Sequence, residues 1–170
     1  MAVAHSIELY EDIINSIAVS ETLKNELKIK IKQAFENPEV FYNTKGKYIL
    51  SERGIKYSDE GKFTPKFVLI DTLIDNDQMI EVDWEEAEED VRYGLNKIIE
   101  SKGYKFQISE DNLYDEDDET HEIIYSIDDE ELQPLGYCIE MINIDSDSHI
   151  LTIVPLSIQQ KVKELLKKLE

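Results

Sequence analysis

Apolar positions in the first forty residues recur at helical spacing. Ile7, Tyr10, Ile13, Ile14 and Ile17 form one stripe behind Ser6, whose hydroxyl can cap the free amides of a helix start. Ser20 opens a longer helix with the stripe Leu23, Leu27, Ile31, Ala34 and Phe35. Asn37-Pro38 ends it, because the residue before a proline is pushed out of the helical region. Two such stripes must bury each other, so residues 1–37 are expected to form a helical hairpin. Residues 40–63 show no clear period: Gly46, Gly54 and Gly61 interrupt short apolar runs, and their conformation is not readable. This lightly patterned segment supplies the expected surface aromatics, Tyr42, Tyr48 and Tyr57.

Thr64-Pro65 suits a helix opening, with Phe67, Ile70, Leu73 and Ile74 on one face, and Asp75-Asn76-Asp77 breaks it. Ile80, Val82 and Trp84 then alternate with acidic residues as a half-buried strand requires, which makes Trp84 a core residue. Asp83 and Glu86 have capping-box spacing, so a helix is expected to start there with Ala87, Val91, Leu95, Ile98 and Ile99 as its stripe and Gly103 at its end. Tyr104, Phe106 and Ile108 alternate as another strand, residues 109–122 read as a solvated acidic loop, and residues 123–127 as a further short strand. Residues 128–132 read as a turn or a single helical turn before Gly136. Residues 138–144 and 150–154, joined by Asp145-Ser-Asp-Ser-His149, read as a β-hairpin. Ser157 is expected to cap a closing helix with Ile158, Val162, Leu165, Leu166 and Leu169 on one side. About five helices and four or five strands, with no internal repeat, give the α+β class: a small antiparallel or mixed sheet with helices packed on it. A single domain over residues 1–170 is expected, with residues 64–170 as its α+β core and C-terminal helix.

A chain of 170 residues can bury a core without disulfides or a structural metal, and the single cysteine agrees. Cys138 lies in an expected strand with no histidine near it in sequence, so it reads as a buried, inert thiol, suited to a reducing, cytoplasmic setting. The first residues turn acidic before any apolar run could act as a signal peptide, and charges interrupt every hydrophobic stretch, so no membrane span is expected. Charge changes the picture most. Lys and Arg number 18 against 38 Asp and Glu, a net −20, and such a field repels nucleic acid and anionic membranes. Two readings of it remain: a solubilising coat, or a surface that attracts a basic protein partner.

Motifs narrow the chemistry further. The six glycines are dispersed, so neither a phosphate-binding loop nor a dinucleotide fingerprint is present, and no Gly-x-Ser-x-Gly or His-Glu-x-x-His pattern occurs. Carboxylates cluster at Glu85, Glu86 and Glu89, at Asp115, Asp117, Asp118 and Glu119, and at Asp128 and Asp129. These are the candidate partner-binding residues. Asp145, Asp147 and His149 alternate around a loop and form the candidate divalent-metal set, with Asp83 as a further ligand, although turn chemistry alone explains such a loop. The sixth and twelfth positions from Asp145 are Ile150 and Leu156, which excludes an EF-hand. Lysines gather on the second helix (Lys24, Lys28, Lys30, Lys32) and the last (Lys161, Lys163, Lys167, Lys168), where a solvated face accounts for them.

Ile80-Glu-Val-Asp-Trp84 leading into an acidic helix, and Ile144-Asp-Ser-Asp-Ser-His149 leading into Leu151-Thr-Ile-Val-Pro155, together resemble a family of small bacterial domains of unknown function, over residues 65–155. The resemblance implies a bacterial cytoplasmic setting and carries no catalytic residue. Acidity, size and the lack of catalytic motifs are also similar to bacterial immunity proteins, as a class analogy. The expected function is a non-enzymatic interaction or inhibitor-like module that needs no cofactor. It would bind a basic protein through residues 85–90 and 110–131. The alternative is a metal-dependent hydrolase or metal-binding domain built on Asp145, Asp147 and His149.

Overall fold

A computed structural model of the chain describes residues 5–43, 50–55 and 63–170. Its backbone falls into two compact units, Met1–Asp75 and Asn76–Lys168.

The first unit is helical. Helices α1 (Ile7–Ile17) and α2 (Glu21–Glu36) pack as the expected hairpin, and the hydroxyls of Ser6 and Ser20 cap them by accepting from Leu9 N–H at 3.2 Å and Leu23 N–H at 3.1 Å. Tyr10 is fully buried and meets Phe35 edge-on at 5.7 Å between ring centres. The short α3 (Val40–Asn43) follows, then a 3-10 turn, Leu50–Arg53, and α4 (Phe63–Asp75), which packs on α2. Nearly every position of α4 from Thr64 to Leu73 is buried, the polar Thr64, Lys66 and Thr72 included, so burial extends well beyond the expected face of Phe67, Ile70 and Leu73. Tyr42 is not a surface aromatic: it is buried, with its hydroxyl 3.0 Å from that of Thr64. Tyr48 and Tyr57 lie outside the described residues. The Arg53 guanidinium pairs with Asp71 and lies 5.2 Å over the Phe67 ring.

The second unit is α+β: β1 (Ile80–Val82), α5 (Glu88–Ser101), α6 (Thr120–Ser126), β2 (Tyr137–Ile142), β3 (His149–Pro155) and α7 (Gln159–Lys167). The three strands form an antiparallel sheet in the order β1-β3-β2. The hairpin pairs Cys138 with Val154 and Ile142 with Ile150, and β1 pairs Ile80 with Leu151. Alternation sends Ile139, Leu151 and Ile153 into one core with Val91, Leu95, Ile98 and Ile99 of α5 and Ile123, Ile124 and Ile127. Helix α5 sits close to β1 because Gly94 has no side chain: a Cβ there would stand 2.7 Å from Ile80 Cδ1.

Three local expectations are corrected. Residues 104–108 are not a strand, although their alternation is real: Tyr104 and Phe106 pack on Tyr137, and Ile108 enters the core. Ile108 pairs with a side chain instead of a strand, donating its N–H to Asn96 Oδ1 at 3.0 Å and accepting from Asn96 Nδ2 at 3.1 Å. Residues 123–127 are helical because Glu122 caps the segment, its carboxylate accepting from Glu119 N–H at 3.0 Å, and because Ile123, Ile124 and Ile127 suit a helical face equally well. The chain then continues as a π-helical stretch, Ile127–Leu132, and a 3-10 turn that Gly136 ends at φ 85. Ser157 does not cap α7; it lies inside a 3-10 turn, Leu156–Ile158, and the helix starts at Gln159 without a side-chain cap.

Candidate functional site

The first wall of the site is the turn after β1. The strand stops at Val82, so the alternation that would have buried Trp84 is cut short, and the indole is 53% exposed. Asp83 and Glu86 complete only half of the capping box their spacing implies, because the Asp83 carboxylate accepts from the Glu85 amide and not from that of Glu86. Asp83 Oδ1 accepts from Glu85 N–H at 3.1 Å, and Glu86 Oε2 accepts from Asp83 N–H at 3.3 Å. What they close is a turn and not a helix start, for α5 begins at Glu88, with Ala87 at its N-cap. The Thr120 hydroxyl donates to Glu86 O at 3.0 Å and ties this turn to the start of α6.

The second wall, residues 115–119, is organised by its own carboxylates. Asp115 N–H donates to Asp118 Oδ2 at 3.2 Å and Asp117 N–H to Asp115 Oδ1 at 3.1 Å. Just ahead of it the chain is anchored from beneath. Glu88 Oε1 accepts from Leu113 N–H at 2.8 Å and from Arg92 Nε at 2.7 Å, and Oε2 accepts from Tyr114 N–H at 3.2 Å. Arg92, fully buried, forks onto Glu131 at 2.8 and 3.0 Å and donates to Ser109 O at 3.1 Å. The Tyr114 hydroxyl adds a bond to Glu131 at 2.9 Å. Burial alone would raise the Glu88 carboxyl, but the Leu113 amide, Arg92 and the Tyr114 amide outweigh it and hold it below its ordinary value. Burial likewise works against the charged guanidinium, and Glu131 and Glu88 overcome it, so Arg92 holds its proton more tightly than usual.

Between the walls lies a cleft of about 670 Å³. Trp84, Glu85, Glu86 and Glu88 line one side, residues 115–119 the other, and Thr120 and Ile123 lie at the start of α6. Eight of the lining residues are carboxylates and none is basic, so a cation entering the cleft meets one sign of charge and the aromatic side chains of Trp84 and Tyr114.

Of the acidic candidates, Glu85, Glu86, Asp115, Asp117, Asp118 and Glu119 therefore share one cleft, though about thirty residues separate the two groups in sequence. Glu89 is exposed in the first turn of α5 and does not line it. Asp128 and Asp129 stand on the π-helical stretch, where Asp128 accepts from Ile139 N–H at 2.6 Å and both accept from Gln133. Asp128 thereby holds the start of the hairpin, and burial raises its carboxyl above the ordinary value.

Asp145 and Asp147 lie exposed on the β2–β3 turn, Asp145 at φ 54, and His149 is the first residue of β3. Asn143 and Ser146 brace the turn through Asp145 N–H at 2.8 Å and Ser148 N–H at 3.1 Å. Among the described residues no three His, Cys, Asp or Glu side chains gather as a metal site. Cys138 is buried, its Sγ 3.7 Å from Val154 O, and burial pushes its thiol up to about 12. Among the described residues no helix is long and apolar enough to cross a membrane.

Reading the sequence alone missed the Arg92 hub. One signal was present: the chain has only two arginines among its cations, Arg53 and Arg92, and Glu88 stands one helical turn before Arg92. Both arginines prove to be in ion pairs.

No curated protein and no solved structure matches the chain significantly. A family model does match, and it extends beyond residues 65–155 to take in most of the N-terminal helical hairpin. Over residues 10–170, the chain belongs to the family described as a domain of unknown function, DUF6630.

Proposed function

We propose that the protein is a non-enzymatic interaction module, inhibitor-like in action, whose acidic cleft binds a basic segment of a partner protein. One observation carries the reading: two acidic stretches far apart in sequence line a single cleft with an exposed tryptophan and no basic residue. A lysine or arginine of the partner would lie over the Trp84 ring, with its charge facing the carboxylates of Glu85, Asp117 and Asp118. Exposed ion pairs contribute only about 0–1 kcal/mol each, so the acids mainly steer and align the partner. Trp84, half-exposed and ready to be covered, is the expected hot spot, at about 2 kcal/mol or more. A reducing cytoplasm suits the lone buried thiol of Cys138.

The test is affinity capture from the native host's lysate through a salt series, with wild type beside Trp84→Ala and the triple variant Glu85→Lys/Asp117→Lys/Asp118→Lys. One basic partner retained at stoichiometric level by wild type and lost by both variants is expected. A partner held equally by all three proteins would sink the proposal. So would capture of only assorted basic proteins that wash away at moderate salt.

A further inference from the structure

Lys102 is the C-cap residue between the end of α5 and the left-handed Gly103, and it is buried, only 6% exposed. The turn that follows brings Tyr104 N–H to Ile99 O at 3.1 Å and Gly103 N–H to Glu100 O at 2.9 Å, which fixes where the lysine stem leaves the helix. Nζ then reaches the part of β3 that β1 does not cover. The β1 pairing runs from His149 to Leu151, and beyond it Nζ donates to Thr152 Oγ1 at 3.0 Å and to Ile153 O at 2.7 Å. Thr152 passes its own hydroxyl proton to Gln78 O at 2.9 Å.

The inventory of donors and acceptors decides the charge state. A free amine has two N–H groups, and two acceptors are present; an ammonium has a third, and no acceptor for it is found among the described residues. No carboxylate compensates the charge. On α5, Glu100 is exposed and Lys97 pairs with Asp77 at 2.9 Å. On β2, Glu140, opposite Thr152, is engaged with Gln159 and Lys163 of α7. The Tyr104 hydroxyl also donates to Ile153 O, at 3.4 Å, and its ring packs on Tyr137. Burial is the single cause acting on Lys102, and it lowers the amine from 10.5 to about 7.

We propose that Lys102 is a proton-operated latch: as the free amine it closes the stretch of β3 that β1 leaves uncovered, and as the ammonium it leaves for solvent and the latch opens. The sign follows from linkage. A lysine whose folded value is depressed binds its proton more readily in the unfolded chain, so stability rises with pH between about 7 and 10.5 and is flat with respect to this group below that window.

Two measurements on the full chain test it. In an NMR titration of wild type, the Lys102 side chain should lose its ammonium signature with a midpoint of about 7, and Thr152 and Ile153 should shift with the same midpoint. In denaturant unfolding, the folded-to-unfolded ratio of wild type relative to Lys102→Met should climb by up to about tenfold per pH unit across that window. An ammonium signature persisting through pH ~9 overturns the proposal. So does a lysine that titrates near neutrality while Thr152 and Ile153 stay still. If Lys102→Met does not fold, the titration of wild type decides alone.

Discussion

Arg92 shows how much one residue can organise. It is fully buried and shared between Glu88 and Glu131, themselves 6% and 16% exposed. Removing three charges from water costs several kcal/mol per ion, so the cluster is not a large net stabiliser. Taking one member away nevertheless strands the others, at about 3–5 kcal/mol. Glu88 carries the pH dependence. Its folded value lies below the ordinary 4.5, so its contribution is present above that pH and lost as pH falls through the lower folded value. Glu88→Gln is therefore expected to lower stability at neutral pH and to make the acid limb of a stability-against-pH curve, followed by denaturant unfolding, shallower than in wild type. An acid limb of unchanged slope would show that Glu88 is not responsible. Spacing hinted at the Glu88–Arg92 pair, but Glu131 is thirty-nine residues from Arg92 and only folding makes it a partner.

At the scale of elements, short apolar runs were the hard part. Residues 104–108 and 123–127 present similar densities of apolar side chains, and alternation over so few residues fits a strand, a helix or an extended loop. What separated them was capping and partners: Glu122 turned one into α6, and Asn96 held the other as a lone extended segment. The longer helices and the hairpin were legible because their periods run far enough to be unambiguous, as in α1, α2 and α5. Asn96→Leu is a direct check on the substitute pairing. It leaves both polar groups of Ile108 without their partner, at about 1–3 kcal/mol for each group kept from water. The expected readout is lost amide-exchange protection at Ile108 and a lower unfolding midpoint; retained protection would mean another group holds that amide.

For the molecule as a whole, charge is the dominant quantity. A net −20 on 170 residues repels itself in the compact state, and the cleft adds eight carboxylate residues in one place. Screening should relieve this. Between about 10 mM and 0.5 M sodium chloride the melting temperature is expected to rise by a few degrees, because the Debye length shrinks from about 30 Å to a few ångströms. A melting temperature that fell with salt would mean that attractive pairs such as Arg92 with Glu131 outweigh the repulsion. The acidity that makes the molecule salt-sensitive is also what would steer a basic partner to Trp84, so partner binding and stability should respond to salt in opposite directions.

The sequence by itself determined the long helices, the β2–β3 hairpin, the α+β class and the two acidic stretches, because each depends on residues close together along the chain. Tertiary structure decided which acids face one another, that Trp84 stands in solvent, and that Arg92 and Lys102 are buried. Those outcomes rest on where a strand stops, and on groups dozens of residues away being brought within hydrogen-bond reach, and no local period records either.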